Sequence, residues 1–431
     1  MTEPAEKSQN LGIRGPVFVS NHALVARIHG DFSIPELDQA LDGIRSRHTT
    51  LIPGADSEDP LAAHFLVRER TGCGESDWQK TVKEELLSHF PQGQGPFARF
   101  IVLRLEGAQT DLVGVFHHGI CDGMSGVYVM RDLLQLLGEP GLILAPIPRQ
   151  SNTRDLIPAA VRKNRFVRLK IKGIVAAIRL MVWFRQMRAR WLPSTGQNPT
   201  LASPANQHMC ILTQTLTVEQ TAALVARCKA EQASVHAALS VAWLRARAIQ
   251  LEKRKSWVRS ASSPISLRER LGIPDTSGLY LANATIKVNC APRRDFWNAA
   301  REFKKKLNQA SRDENLFLVP MIIGAVFSQL PEKDRKDVVP ILFNRPVNYD
   351  FSITNLGRID LPVKVGRFEL EAFYNLVNAS EHERTVCVNT FKGRLTTCLL
   401  FRESKMDLGS AEKLKELVSQ QLAQAVHGRL T

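Results

Sequence analysis

Leu37, Ala40, Leu41 and Ile44 fall on one face at helical spacing behind a Ser33/Glu36 frame with Pro35 in the first turn, a pattern that predicts a capped helix. The branched, apolar run before it, residues 17–30, reads as a strand. Residues 97–106 and 111–117 read as two strands joined by a short turn. From Gly126 to Leu137 the apolar positions Val127, Met130, Leu133, Leu134 and Leu137 recur at helical spacing, and Gly138 and Pro140 end that helix. The segment between, which begins at His117, is therefore a loop from strand to helix. Residues 160–192 read as a basic helix and 193–208, rich in Pro, Ser and Asn, as a linker.

The second half opens with a strand at 210–217 and a helical run from Val218 through about Leu251. Strands follow near 257–265, 280–290 and 349–354. Residues 386–391 and 395–401 form a hairpin turning at Lys392 and Gly393, and a last helix covers about Ser410 to His427. No repeat of 20–50 residues is visible.

Composition fixes the scale of this pattern. A chain of 431 residues suits two lobes of about 200 residues each. Their expected extents are 1–192 and 209–431, on either side of the 193–208 linker. With 44% hydrophobic and 23% charged residues the chain is expected to fold rather than remain disordered. The 7 cysteines are scattered and never spaced as CxxC, so neither a disulfide framework nor a zinc cage is expected. No signal-like N-terminus and no uncharged apolar stretch of about 18 residues occurs, and the protein reads as cytoplasmic.

A net charge of +15 favours anionic partners without choosing among them. Residues 156–218 contain no Asp or Glu, and ten Arg and Lys residues crowd 162–190. Three readings stand for this stretch: a packed helix with a solvated basic face, a dock for an acidic carrier protein, or a peripheral contact with an anionic membrane through Ile171, Ile174, Val175, Ile178, Met181 and Trp183. No nucleic-acid-binding motif accompanies the charge.

The candidate chemistry lies in HHGICDG, residues 117–123. A histidine at a strand end beside a tight loop can hold its imidazole toward a cleft, where a pKa near neutrality suits proton abstraction. Gly123 lets the backbone turn, and the following helix start can aim N–H groups at a developing oxyanion. Asp122 can orient the loop through a salt bridge. Cys121 reads as a packing residue and Ser125 as the helix N-cap. His22, His29, His48 and His236 have no motif around them and read as ordinary residues.

Together these segments resemble the two-lobed acyltransferase superfamily with the HHxxxDG motif, which includes chloramphenicol acetyltransferase, condensation domains, BAHD enzymes and the polyketide-associated and alcohol acyltransferases. The similarity runs in order through SRHTTL (46–51), GPFARFIVL (95–103), HHGICDGMSG (117–126), SPISLRERL (263–271), LYLANATIKV (279–288) and FSITNLGRID (351–360). The chain has ITNLG where BAHD enzymes carry DFGWG, which moves it toward the polyketide-associated and alcohol acyltransferase branch.

The resemblance implies an α/β fold of two lobes, each a mixed sheet with flanking helices, and a tunnel between them. It makes His118 the general base and His117 its structural neighbour. Asp122 would pair with Arg268, and the segment of Asn355 and Gly357 would close the tunnel. The implied reaction moves an acyl group from an acyl-CoA or acyl-carrier thioester to a hydroxyl, by a stand-alone enzyme with no metal and no tightly bound cofactor. Two alternatives remain open: an amide-forming condensation enzyme with carrier-bound substrates and an amine acceptor, and a non-catalytic binding protein that kept the fold.

Overall fold

The computed structural model describes residues 21–52, 64–90, 96–148, 156–191, 208–251, 256–329, 349–378 and 384–428. The linker 193–208 lies, up to residue 207, outside them. The first lobe holds β1 (Asn21–His29), α1 (Ile34–Arg47), β2 (Leu66–Cys73), α2 (Asp77–Leu87), β3 (Ala98–Leu105), β4 (Gln109–His117) and α3 (Gly123–Gly138). Next come α4 (Ala159–Lys163) and the basic helix α5 (Arg165–Trp191). The second half contains β5 (Met209–Thr215), α6 (Val218–Ala230), α7 (Val235–Gln250), β6 (Val258–Ser266), α8 (Arg268–Leu271), β7 (Leu281–Asn289), α9 (Phe296–Arg312) and α10 (Leu318–Gln329). It ends with β8 (Phe351–Arg358), β9 (Lys364–Val365), β10 (Phe368–Asn378), β11 (Arg384–Phe391), β12 (Arg394–Arg402) and α11 (Leu408–His427).

Local sequence explains the elements that hold the site. At α1 the Ser33 hydroxyl accepts the Glu36 N–H at 3.3 Å while the Glu36 carboxylate accepts the Ser33 N–H at 2.7 Å, a reciprocal cap that fixes where the helix begins. Buried Leu37, Ala40, Leu41 and Ile44 then face the sheet. β1 is apolar on both sides because helices or the second sheet cover both of its faces. Leu24, Ala26 and Ile28 join the core beneath α1 and α3, whereas Ala23 and Val25 join the core with α2.

Two mixed six-stranded sheets result, ordered β2-β3-β4-β1-β10-β9 and β5-β12-β11-β8-β6-β7. In the first, β2 and β3 run parallel and the other neighbours antiparallel. In the second, β8 runs parallel to both β6 and β11. The second lobe has its own core around Trp243, Phe303 and Phe351. A third cluster joins Val25, Val113 and Leu376 of the first sheet to Ile211, Cys387 and Leu400 of the second, so the sheets meet through apolar side chains.

Two features of the structure cross the expected division of the chain at 193–208. β9 and β10, which lie in the second half, pair into the first sheet, β10 directly against β1. Strands that leave one sheet for the other carry no local signature of the crossing, since alternation reports burial and not which sheet is joined. Helix α5, assigned to the first lobe, packs Ile171, Val175, Ile178 and Val182 against Met321 and Val326 of α10 and against Leu267 and Ala282. The predicted helix over 218–251 is two helices, because Ser234 caps a new start at the Ala237 N–H.

Candidate active site

His117 is the last residue of β4, and the chain turns through 118–122 into α3. Asp122, not Ser125, is the N-cap: its Oδ1 accepts the Ser125 N–H at 2.8 Å. Ser125 lies one turn inside, buried, so the cap is set three residues earlier than expected. With Asp122 as cap, Gly123 becomes the first helical residue. A Cβ there would stand 2.6 Å from a methyl of Leu356, so a larger residue would require that side chain to shift. The Asn355 side chain accepts the Gly357 N–H at 2.8 Å, and Gly357 has φ +73°, so these two residues shape the bend beside Leu356.

Asp122 is the hub of a buried network between the two lobes. Its carboxylate accepts from Arg268 Nη2 at 3.0 and 3.3 Å and from the Tyr280 N–H at 2.9 Å. Its own N–H donates to the Gly278 carbonyl at 3.0 Å. Arg268 Nη2 also reaches Ser125 Oγ at 2.6 Å, and the guanidinium lies 5.3 Å from the Tyr128 ring centre and 4.8 Å from that of Tyr280. The structure thus places Arg268, from the SLR segment, directly on the motif aspartate. The carboxylate is engaged by Arg268, by Ser125 and by the Tyr280 N–H.

His118 has one defining contact. Its Nδ1 lies 3.0 Å from the carbonyl oxygen of Cys121. A carbonyl only accepts, so Nδ1 carries the hydrogen and Nε2 keeps its lone pair. Burial lowers the imidazole pKa below its ordinary value against weaker opposing pulls from the Cys121 carbonyl and Asp122, and His118 is therefore neutral near pH 7. His117 points its Nδ1 at the Gly119 N–H, accepting at 3.1 Å, and sits between the rings of Phe90 and Phe97. Burial brings it to about 4. The Cys121 thiol is wholly buried and its pKa is pushed well up by that burial, so no thiolate nucleophile forms there.

The histidines read as ordinary do not all stay apart from the site. His22, on β1, lies with its ring centre 6.1 Å from that of His118. Its Nε2 bonds Asn375 Oδ1 at 3.0 Å, and burial first, then His118, brings its pKa to about 3. The signal for it was strand register: His22 faces Phe116, one residue before the motif. His48, of the SRHTTL segment, bonds Asp132 of α3 at 2.9 Å, with Arg47 and Arg131 on the same carboxylate. Burial alone would raise Asp132; those three donors bring it to about 2. Arg131 continues to Asp275 at 2.8 Å, so the segment ties α1 and α3 to the 274–280 loop behind the motif. His29 lies exposed at the end of β1, and His236 bonds Ser263 in the second lobe.

Three histidines with lowered pKa, His22 buried and His117 and His236 half-buried, have a consequence for acid stability. His22 at about 3, and His117 and His236 at about 4, bind protons in the unfolded chain near 6.5 but not in the folded one. Stability therefore rises with pH between roughly 4 and 6.5 and levels above it. Urea midpoints are expected to fall steadily from pH 7 to pH 5, with a shallower slope in a His22→Gln variant. A midpoint unchanged across that range would contradict the neutral folded state of these histidines.

Comparison with known proteins bears on this arrangement. Residues 206–399 match the model of the family described as phthiocerol/phthiodiolone dimycocerosyl transferase, C-terminus. Among solved structures, polyketide synthase associated protein 5 from Mycobacterium tuberculosis shares 16% identity over 97% of this chain and 98% of that one, with a TM-score of 0.63. The trichothecene 15-O-acetyltransferase of Fusarium sporotrichioides shares 11% over 96% and 93%, with a TM-score of 0.67. The first condensation domain of the CDA synthetase shares 13% over 95% and 92%, with a TM-score of 0.64. These likenesses establish the two-lobed fold with its two mixed sheets. No curated protein matches by sequence.

Proposed function

We propose that this chain is an acyltransferase of the two-lobed superfamily and transfers an acyl group from a thioester to a hydroxyl with His118 as base, a reading supported by the family match over residues 206–399 and by the fold. The supporting observation is the Nδ1–H bond from His118 to the Cys121 carbonyl, which leaves a neutral imidazole with its basic Nε2 free of that bond.

In this reading the acceptor O–H donates to Nε2 as its oxygen attacks the thioester carbonyl. The tetrahedral intermediate then collapses, the C–S bond breaks, and the imidazolium returns the proton to the departing thiolate. Protons and electrons balance without an additional reactant, and the ester and free thiol leave. Asp122, Arg268, Ser125 and Gly123 hold the loop; Asn355 and Gly357 shape the facing segment. Acyl-CoA and a carrier-bound thioester both supply the required donor chemistry.

An ester is the first reading because one structural neighbour is an O-acetyltransferase; the condensation-domain neighbour supports an amide as the second. Incubating the purified chain with acyl-CoA thioesters from acetyl to palmitoyl, and with mixed alcohols and amines, is expected to give ester by mass spectrometry. Amide without ester would favour the second reading. Absence of any transfer, with carrier-bound thioesters also tried, would favour the non-catalytic alternative.

A further inference from the structure

Helix α5 presents apolar residues on two opposite sides. Ile171, Val175, Ile178 and Val182 form the inner seam and are buried. Directly opposite, at steps of three and four residues, run Phe166, Leu169, Gly173, Ala176, Leu180 and Phe184. Phe166 and Leu169 are 68% and 69% exposed and Leu180 and Phe184 are 53% and 57% exposed, with Trp183 and Met181 beside them at 51% and 41%. Of the residues named from the sequence for membrane contact, Ile171, Val175 and Ile178 are buried against the seam with α10 and Ile174 is half-buried, whereas Met181 and Trp183 are exposed.

At 100° per residue, exposed Arg165, Lys172 and Arg179 border the outward stripe on one side and exposed Lys170 on the other. No carboxylate occurs in the sequence from 156 to 218. A groove of about 580 Å³ opens alongside, lined among others by Lys172, Arg179, Leu180 and Trp183. No helix among the described residues is long and apolar enough to cross a membrane.

We propose that α5 seats the protein on an anionic lipid surface, lying in the plane of the interface with the Phe166–Phe184 stripe toward the acyl chains and its cations among the phosphates. A helix of 27 residues lies along about 40 Å of that surface. Both halves of the feature are needed for this occupant: large apolar groups with a cationic border suit a headgroup boundary, where long basic side chains reach sideways to phosphate. An acidic protein would require the cations but not an exposed stripe of aromatic and aliphatic residues. This inference does not depend on the acyl-transfer reading.

The test is co-sedimentation of the full chain with vesicles of phosphatidylcholine alone and of equal parts phosphatidylcholine and phosphatidylglycerol. Binding to the mixed vesicles at low salt is expected, weakened by added salt. Combined Phe166→Ser, Leu169→Ser, Leu180→Ser and Phe184→Ser should lower the partition coefficient roughly tenfold or more, as should Arg165→Gln, Lys172→Gln and Arg179→Gln. Circular dichroism, and acyl transfer if the parent has it, should match the parent in both variants. A parent that ignores mixed vesicles would overturn the proposal. So would an apolar variant that binds them as well as the parent, which would leave charge alone and favour an acidic carrier, or one whose only change is loss of self-association.

Discussion

Replacing His118 with alanine is expected to lower turnover by roughly two to four orders of magnitude while leaving the fold intact, the range for loss of a positioned base. The fold should survive because, among the described residues, the His118 side chain makes one hydrogen bond, to the Cys121 carbonyl, and that carbonyl lies in a turn also held by the Cys121 N–H bond to His117. The loss should appear in kcat, since the base acts on the proton in flight and not on substrate binding. Steady-state kinetics with any thioester that the parent uses would measure it. Cys121→Ala, by contrast, should retain most of the rate, because a buried thiol with a raised pKa offers no nucleophile.

The second large effect concerns the pair that holds the loop. Asp122 and Arg268 are 4% and 7% exposed, so removal of one leaves a charge buried without its partner. Asp122→Asn and Arg268→Gln are each expected to destabilise by about 3–5 kcal/mol. The double variant should cost clearly less than the sum, because the second change removes the stranded charge. Asparagine still caps a helix, so Asp122→Asn isolates the ion pair, whereas Asp122→Ala should cost about 1 kcal/mol more through loss of the Ser125 N–H bond. Turnover should fall in step with loop stability. Additive single and double variants in denaturant titrations would show that the two side chains do not act together.

Much of this arrangement was legible in the sequence where signals are local. The Ser33/Glu36 box, the strand pair before the motif and the hairpin at Lys392 and Gly393 all lie where periodicity and turn chemistry put them. The pairing of Asp122 with Arg268 lay outside composition and spacing, across 146 positions of chain; only the family resemblance pointed to it. Nothing local separates Asp122 from Ser125 as the cap, since both residue types cap well and both lie at the helix start. His22 reads as ordinary in the sequence because its proximity to His118 depends on which strand β1 pairs with.

Edge strand β2 was missed for a physical reason: Arg68, Glu69 and Arg70 interrupt its apolar pattern, as charges do on an exposed sheet edge. Helix α9 had a readable signal in the Asp295 cap and in Phe296, Ala299, Ala300 and Phe303 on one face. For α5, the sequence reading took buried Ile171, Val175 and Ile178 together with exposed Met181 and Trp183, because spacing alone does not say which side the protein covers. That choice depends on α10, more than a hundred residues away in the chain.

The assignment of His118 as base is tested most directly by the pH dependence of kcat/KM in the parent and in His118→Ala. Because burial lowers the His118 pKa, the neutral base is present above it and lost as pH falls through it. The parent should therefore hold its rate near pH 7 and lose it along an acid limb with an apparent pKa below 6.5, while the residual rate of His118→Ala should lack that limb. An acid limb that persists unchanged in the variant, or a parent profile with no limb below neutrality, would contradict the assignment.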